Sequence, residues 1–107
     1  MSEIAVTQSD RWKTVDAQPG DVIVIRIEEN LATGYSWEIV SGEGSVLTLK
    51  ESNYIESAGM AMGRGGMRLL RFVALARGNQ EIRLHLRRPW DLPDKAIEQF
   101  GITIRVL

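Results

Sequence analysis

Asp21-Val22-Ile23-Val24-Ile25-Arg26-Ile27 is the stretch that decides the fold. In an extended chain Ile23, Ile25 and Ile27 share one face, and the run is mostly β-branched. A period of two in such residues marks a strand with one face on a core. The same period recurs along the chain. Tyr35, Trp37 and Ile39 alternate with Ser36 and Glu38, and Ile82, Leu84 and Leu86 with Arg83, His85 and Arg87. Phe100, Ile102, Ile104 and Val106 alternate with Gly101, Thr103 and Arg105. Leu47 to Ile55 and Met67 to Ala76 read as two more strands. Met67, Leu70 and Ala74 also fit a helical period, but Gly65-Gly66 before them, Gly78 after them and the neighbouring strands select a strand. Ile4 to Gln8 and Trp12 to Val15 are shorter candidates.

Turn signals separate these runs: Gln18-Pro19-Gly20, Thr33-Gly34, Ser41-Gly42-Glu43-Gly44, Gly59 to Gly66, Arg77-Gly78-Asn79 and Pro89 to Pro93. The expected fold is all-β, an immunoglobulin-like sandwich of about seven to eight antiparallel strands. The strands are A near the N-terminus, B (21–29), C (35–41), D (46–55), E (67–76), F (81–88) and G (97–107). There is no Cys…Trp…Cys spacing, so this is not an antibody-type domain. No repeat, linker or two-turn helix is expected, and 107 residues make one ordinary domain.

Bulk composition narrows the function. A formal net charge of -1 argues against nucleic acid as a partner, because phosphate binding calls for a basic surplus. The ten arginines and three lysines are scattered, apart from Arg87-Arg88. With no cysteine there is no disulfide, no thiolate-bound metal and no cysteine nucleophile. No apolar run is long enough to cross a bilayer. Met1-Ser2-Glu3-Ile4 opens no signal peptide, which implies a cytoplasmic chain as given. A removed signal would make it periplasmic or secreted. A monomer with no cofactor and no metal is expected.

Three connections, B–C, D–E and F–G, lie at one end of such a sandwich, and each is unusual. The first reads Glu29-Asn30-Leu31-Ala32-Thr33-Gly34-Tyr35. Asn30 can cap a turn, Gly34 can take a backbone shape closed to other residues, and Leu31 and Ala32 are apolar at the tip. A plain tight turn folded back on the sandwich is the alternative. The second runs from about Glu56 to Gly66, is glycine-rich and carries Met60 and Met62. Long connections are functional or disordered, and methionine adapts to partner surfaces. The alternative is a loose loop with its methionines turned inward. The third reads Arg87-Arg88-Pro89-Trp90-Asp91-Leu92-Pro93. Proline stiffens it, and Trp and Arg are the anchor types of binding interfaces. A lone Trp90 would pack as a lid over the core, but between two prolines it reads as a presented side chain.

Together the three segments resemble the chagasin family of cysteine protease inhibitors. The family pattern is Asn-Pro-Thr-Thr-Gly-Phe/Tyr, then Gly-x-Gly-Gly, then Arg-Pro-Trp. Here the matches are Asn30, Leu31, Ala32, Thr33, Gly34 and Tyr35; Gly63, Arg64, Gly65 and Gly66; and Arg88, Pro89 and Trp90. The resemblance covers essentially the whole chain. It implies a reversible inhibitor of papain-like, cathepsin L-type proteases. The first loop would enter the cleft over the catalytic cysteine and histidine, with Thr33 and Gly34 nearest the centre. The other two loops, Met62 included, would clamp on either side. Leu31 stands where the family has proline, and Ala32 where it has its first threonine. The resemblance therefore implies inhibition that is weaker or differently selective, since proline prepays loop ordering.

Other classes fit less well. A hydrolase needs a nucleophile, a base and an orienting group, and His85, the single histidine, falls mid-strand on an outward face. No Gly-x-Ser-x-Gly or His-Glu-x-x-His occurs. Gly63-Arg64-Gly65-Gly66 lacks the following Gly-Lys-Ser/Thr of a P-loop, and Arg68 spoils a dinucleotide fingerprint. One Arg64-Gly65-Gly66 triplet on a slightly acidic chain is a thin basis for RNA binding. An immunoglobulin-like protein- or carbohydrate-binding module, stacking through Trp90 and Tyr35, is the alternative that the fold by itself leaves open.

Overall fold

A computed structural model describes residues 2–56 and 65–107. Among these residues eight strands form two four-stranded sheets: β1 (Glu3–Thr7), β2 (Thr14–Ala17), β3 (Val22–Glu29), β4 (Ser36–Ser41), β5 (Leu47–Glu56), β6 (Gly66–Ala74), β7 (Gly78–Arg87) and β8 (Glu98–Val106). One sheet runs β1-β3-β6-β5, the other β2-β8-β7-β4. The expected strands B to G are β3 to β8. Among the described residues the helical elements are three single 3-10 turns, and no helix is long and apolar enough to cross a membrane.

The N-terminal segment departs from expectation. Two strands form there, and the second is Thr14–Ala17 rather than Trp12 to Val15. They are not antiparallel to their neighbours: β1 pairs parallel to β3, and β2 parallel to β8. Both flank sheets whose remaining pairs are antiparallel. The chain climbs beside β3, crosses to the other sheet and descends beside β8, so one short segment closes one edge of each sheet. Trp12 sits at the crossing with φ +67, a region few non-glycine residues enter. Its N–H donates to the Gly101 carbonyl at 2.6 Å. Its ring lies in contact with Gly101, at the place a side chain there would fill, with the Arg83 guanidinium 5.2 Å from the ring centre. Gly101 faces outward as expected, yet it is buried beneath that ring.

The period-two faces form the core. Ile23, Ile25, Ile27, Leu70, Phe72 and Leu47 from one sheet meet Ile82, Leu84, Phe100, Ile102 and Ile104 from the other, all essentially without exposure. Each such side chain contributes roughly 1.5–3 kcal/mol on burial. Edge strands β4 and β5 are each interrupted by a bulge, between Ile39 and Ser41 and between Leu49 and Glu51.

At the end of the sandwich where β3 begins, Asp21 ties the turn together. Its carboxylate accepts from the Gln18 and Ser2 N–H groups, each at 2.9 Å. The Gln18 N–H first, then that of Ser2, holds the Asp21 carboxyl below the ordinary aspartate range. A carboxyl whose folded value is depressed stabilises the fold above its unfolded value of about 4, and that contribution fades as pH falls through the folded value. Asp21→Asn is therefore expected to melt lower than the parent at neutral pH and to close that gap below about pH 4, as a series of thermal melts across pH would show.

Candidate functional site: three loops at one end

Strand directions alternate after β3, so the β3–β4, β5–β6 and β7–β8 connections emerge at the same end. These are the first, second and third loops.

The first loop is a single 3-10 turn, Leu31–Thr33, capped at both ends. The Asn30 side-chain oxygen accepts from the Ala32 N–H at 3.1 Å. The Thr33 hydroxyl donates to the Asn30 carbonyl at 2.7 Å and accepts from the Tyr35 N–H at 3.2 Å. The Gly34 N–H closes on the Leu31 carbonyl at 3.0 Å, with φ +84 at Gly34. That left-handed cap is where glycine is needed. The Thr33 hydroxyl is thus occupied inside the loop. Leu31, Ala32 and Thr33 are all exposed, and Leu31, at 44%, and Ala32 are the apolar side chains among them.

The third loop is built around Arg88. Its guanidinium donates to Asp91 at 2.9 Å, and the Asp91 N–H closes the turn on the Arg88 carbonyl at 3.0 Å. Arg87 supports that turn from below, donating to the Asp91 carbonyl at 2.6 Å and to both Glu38 oxygens. Pro89 is exposed. Trp90 is 71% exposed, the most open large apolar side chain among the described residues. It is a presented side chain, as the flanking prolines suggest.

The structure joins these two loops. The Arg88 guanidinium lies 5.0 Å from the Tyr35 ring centre and 5.6 Å from that of Trp90, within cation–π range of both. A methyl group on Gly34 would fall 2.8 Å from Trp90 Cη2, so the indole rests on the bare backbone of the first loop.

Of the second loop, Met60, Met62, Gly63 and Arg64 lie outside the described residues. Gly65 and Gly66 lie within them. A Cβ on Gly65 would come 2.8 Å from the Glu29 carbonyl oxygen and 2.9 Å from Asn30 Cβ, and one on Gly66 would overlap the Ile55 carbonyl. Gly65 therefore lets the return of the second loop press against the foot of the first, and Gly66 lets that return pack against the strand that leads out to the same loop.

Two residues that the loop motifs do not contain complete this end. Glu29 and Arg68 form an ion pair, 2.7 Å from Nη2 to Oε1, with the Glu29 side chain fully buried. The alternation itself signals them: Ile23-Ile25-Ile27-Glu29 and Arg68-Leu70-Phe72 put both on core faces.

His85 is on the outward face, as expected, but covered. Its Nε2 is 2.7 Å from Glu38 Oε1 and its side chain is 14% exposed. His85 first, then Arg87, pulls the Glu38 carboxyl below its ordinary range. Among the described residues no group of His, Asp and Glu is placed to hold a metal ion.

Comparison with known proteins agrees with this architecture. The model of the Chagasin family peptidase inhibitor I42 matches residues 16–104. Chagasin of Trypanosoma cruzi is 25% identical over 105 residues, covering 94% of each chain. The fold is that of the cysteine protease inhibitor EhICP2 of Entamoeba histolytica, at TM-score 0.87 and 20% identity over 100% of this chain and 97% of that one. PbICP-C, solved in complex with falcipain-2, superposes at TM-score 0.59 and 17% identity over 98% of this chain and 89% of that one. The two sheets make the fold an immunoglobulin-like sandwich, and the family match over residues 16–104 makes its class a peptidase inhibitor rather than an enzyme. The chain belongs to the chagasin family of cysteine protease inhibitors.

Proposed function

We propose that the chain inhibits papain-like cysteine proteases, those of cathepsin L type included, by seating the first loop in the active-site cleft while the second and third hold the walls. The observation that carries this reading is the joining of the first and third loops through Gly34, Trp90, Arg88 and Tyr35. Joined loops on a rigid sandwich lose little freedom on docking, so more of the contact energy is retained as affinity. Leu31, Ala32 and Trp90 are the side chains offered at the front. Thr33 serves the loop's own shape, and Gly34 keeps the backbone in a turn that a protease cleft does not cut.

The inhibitor works as a monomer. The bulges in β4 and β5 and the exposed Lys50 and Glu51 on the edge of β5 oppose edge-to-edge pairing.

The test is a titration of papain and a cathepsin L-type protease with a fluorogenic substrate, with trypsin as control. Inhibition confined to the cysteine proteases is expected. None at micromolar protein would sink the proposal and leave a binding module.

Position 31 offers a graded check. Asn30 has an extended backbone, φ -116 and ψ 98, and Leu31 opens the 3-10 turn. Both suit proline at 31. Leu31→Pro is expected to tighten inhibition of papain about two- to fivefold by stiffening the free loop, read as a lower inhibition constant.

A further inference from the structure

We infer that Glu29 and Arg68 are positioning residues for inhibition: their buried pair holds the first loop in the shape that a protease binds without cutting. The inference rests on the inhibitory reading above.

Glu29 ends β3 and continues its inward face. One carboxylate oxygen accepts from the Trp37 N–H at 2.6 Å, across the gap between the sheets. The other accepts from Arg68 Nε at 2.9 Å and Nη2 at 2.7 Å. The Trp37 indole N–H returns the tie, donating to the Glu28 carbonyl at 2.8 Å. The two feet of the first loop, 28–29 and 37, are thus bonded in both directions. Arg68 adds the strand that leaves the second loop, and is itself steadied by the Tyr54 ring, 5.7 Å from its guanidinium carbon. One carboxylate therefore links both sheets and two of the three loops.

A charge with no exposure is retained only where its bonds are complete. Here three donors converge on it. Glutamine fits the space and can still accept from Trp37, but its amide would point N–H groups at the Arg68 guanidinium. The feet would loosen while the loop's own sequence stayed intact. A loosened loop pays its ordering entropy on docking and can stretch into the extended form that proteases hydrolyse.

The experiment compares the parent, Glu29→Gln and Arg68→Lys against papain, reading the inhibition constant, the dissociation rate and the intact mass after long incubation. Glu29→Gln is expected to weaken inhibition about tenfold or more, mostly through faster dissociation. Two fragments whose masses sum to that of the parent plus one water, from a cut within residues 30–36, should accumulate. Arg68→Lys, which keeps the charge but not the two-nitrogen grip, should show the same effects to a smaller degree, and it carries the test if Glu29→Gln does not fold. Ile104→Ala, a core change at the far end, is the control for general destabilisation and should leave the first loop uncut. A folded Glu29→Gln protein that inhibits like the parent and stays intact overturns the inference. If the parent itself inhibits nothing, the inhibitory reading fails instead. Amide hydrogen exchange at residues 31–37 then decides the positioning role: about tenfold faster in Glu29→Gln supports it, and unchanged exchange overturns it.

Discussion

Trp90→Ala is expected to raise the inhibition constant against papain by about thirtyfold or more, with the fold and melting midpoint nearly unchanged. The magnitude is that of an interface hot spot, about 2 kcal/mol or above for a central aromatic anchor. The separation of effects follows from the structure. Trp90 is 71% exposed, so folding buries little of it and its removal leaves no cavity in the core. Its neighbours in the free protein are Gly34 and Arg88. Arg88 keeps Tyr35 and Asp91 when the indole is gone, so the third loop should hold its turn. Loss of inhibition with an unshifted melt would assign the tryptophan to binding. An unchanged inhibition constant would refute its role as an anchor, and a large fall in melting temperature would show it to be a structural lid.

Gly34→Ala should weaken inhibition by about tenfold to a hundredfold, for two separable reasons. At φ +84 an alanine is strained by roughly 1–2 kcal/mol. Its methyl group would also lie 2.8 Å from Trp90 Cη2 and 3.6 Å from Arg88 Cδ, so the exposed indole must swing away. The second effect vanishes when the indole is absent. Gly34→Ala in a Trp90→Ala background should therefore add much less than it does in the parent, and a double-mutant cycle on the inhibition constant measures the difference. Strict additivity would mean that the two loops bind independently, against the contact seen between them.

Much of this was legible in the sequence because period two is a local signal. Ile23, Ile25 and Ile27, or Phe100, Ile102 and Ile104, declare their shared face within one strand, and all six are buried. The glycine at 34 and the prolines at 89 and 93 likewise carry local backbone meaning. Relations between strands were not legible. Glu29 and Arg68 each extend an inward face, but only the register that sets Ile27 opposite Arg68 and Glu29 opposite Gly66 brings them together. The placement of Arg88 against both Tyr35 and Trp90 depends on β4 pairing with β7, another long-range fact. The N-terminal segment misled for a similar reason. Trp12 to Val15 reads as a short strand, whereas the position of Trp12 is set by Gly101, far along the chain, and the strand begins at Thr14.

Ser2 and Leu107 border one open surface depression with Ile4, Asp16, Ala17, Gln18 and Asp21. Ser2 bonds Asp21 and Leu107 bonds Ala17, at the base from which β3 rises. β3 is eight residues long, which sets both of these positions roughly 25 Å from the loops. A tether joined at either place points away from the three loops. The domain can be anchored to a bead, a sensor chip or a carrier protein with its loops turned outward, the orientation that the proposed mode of inhibition requires.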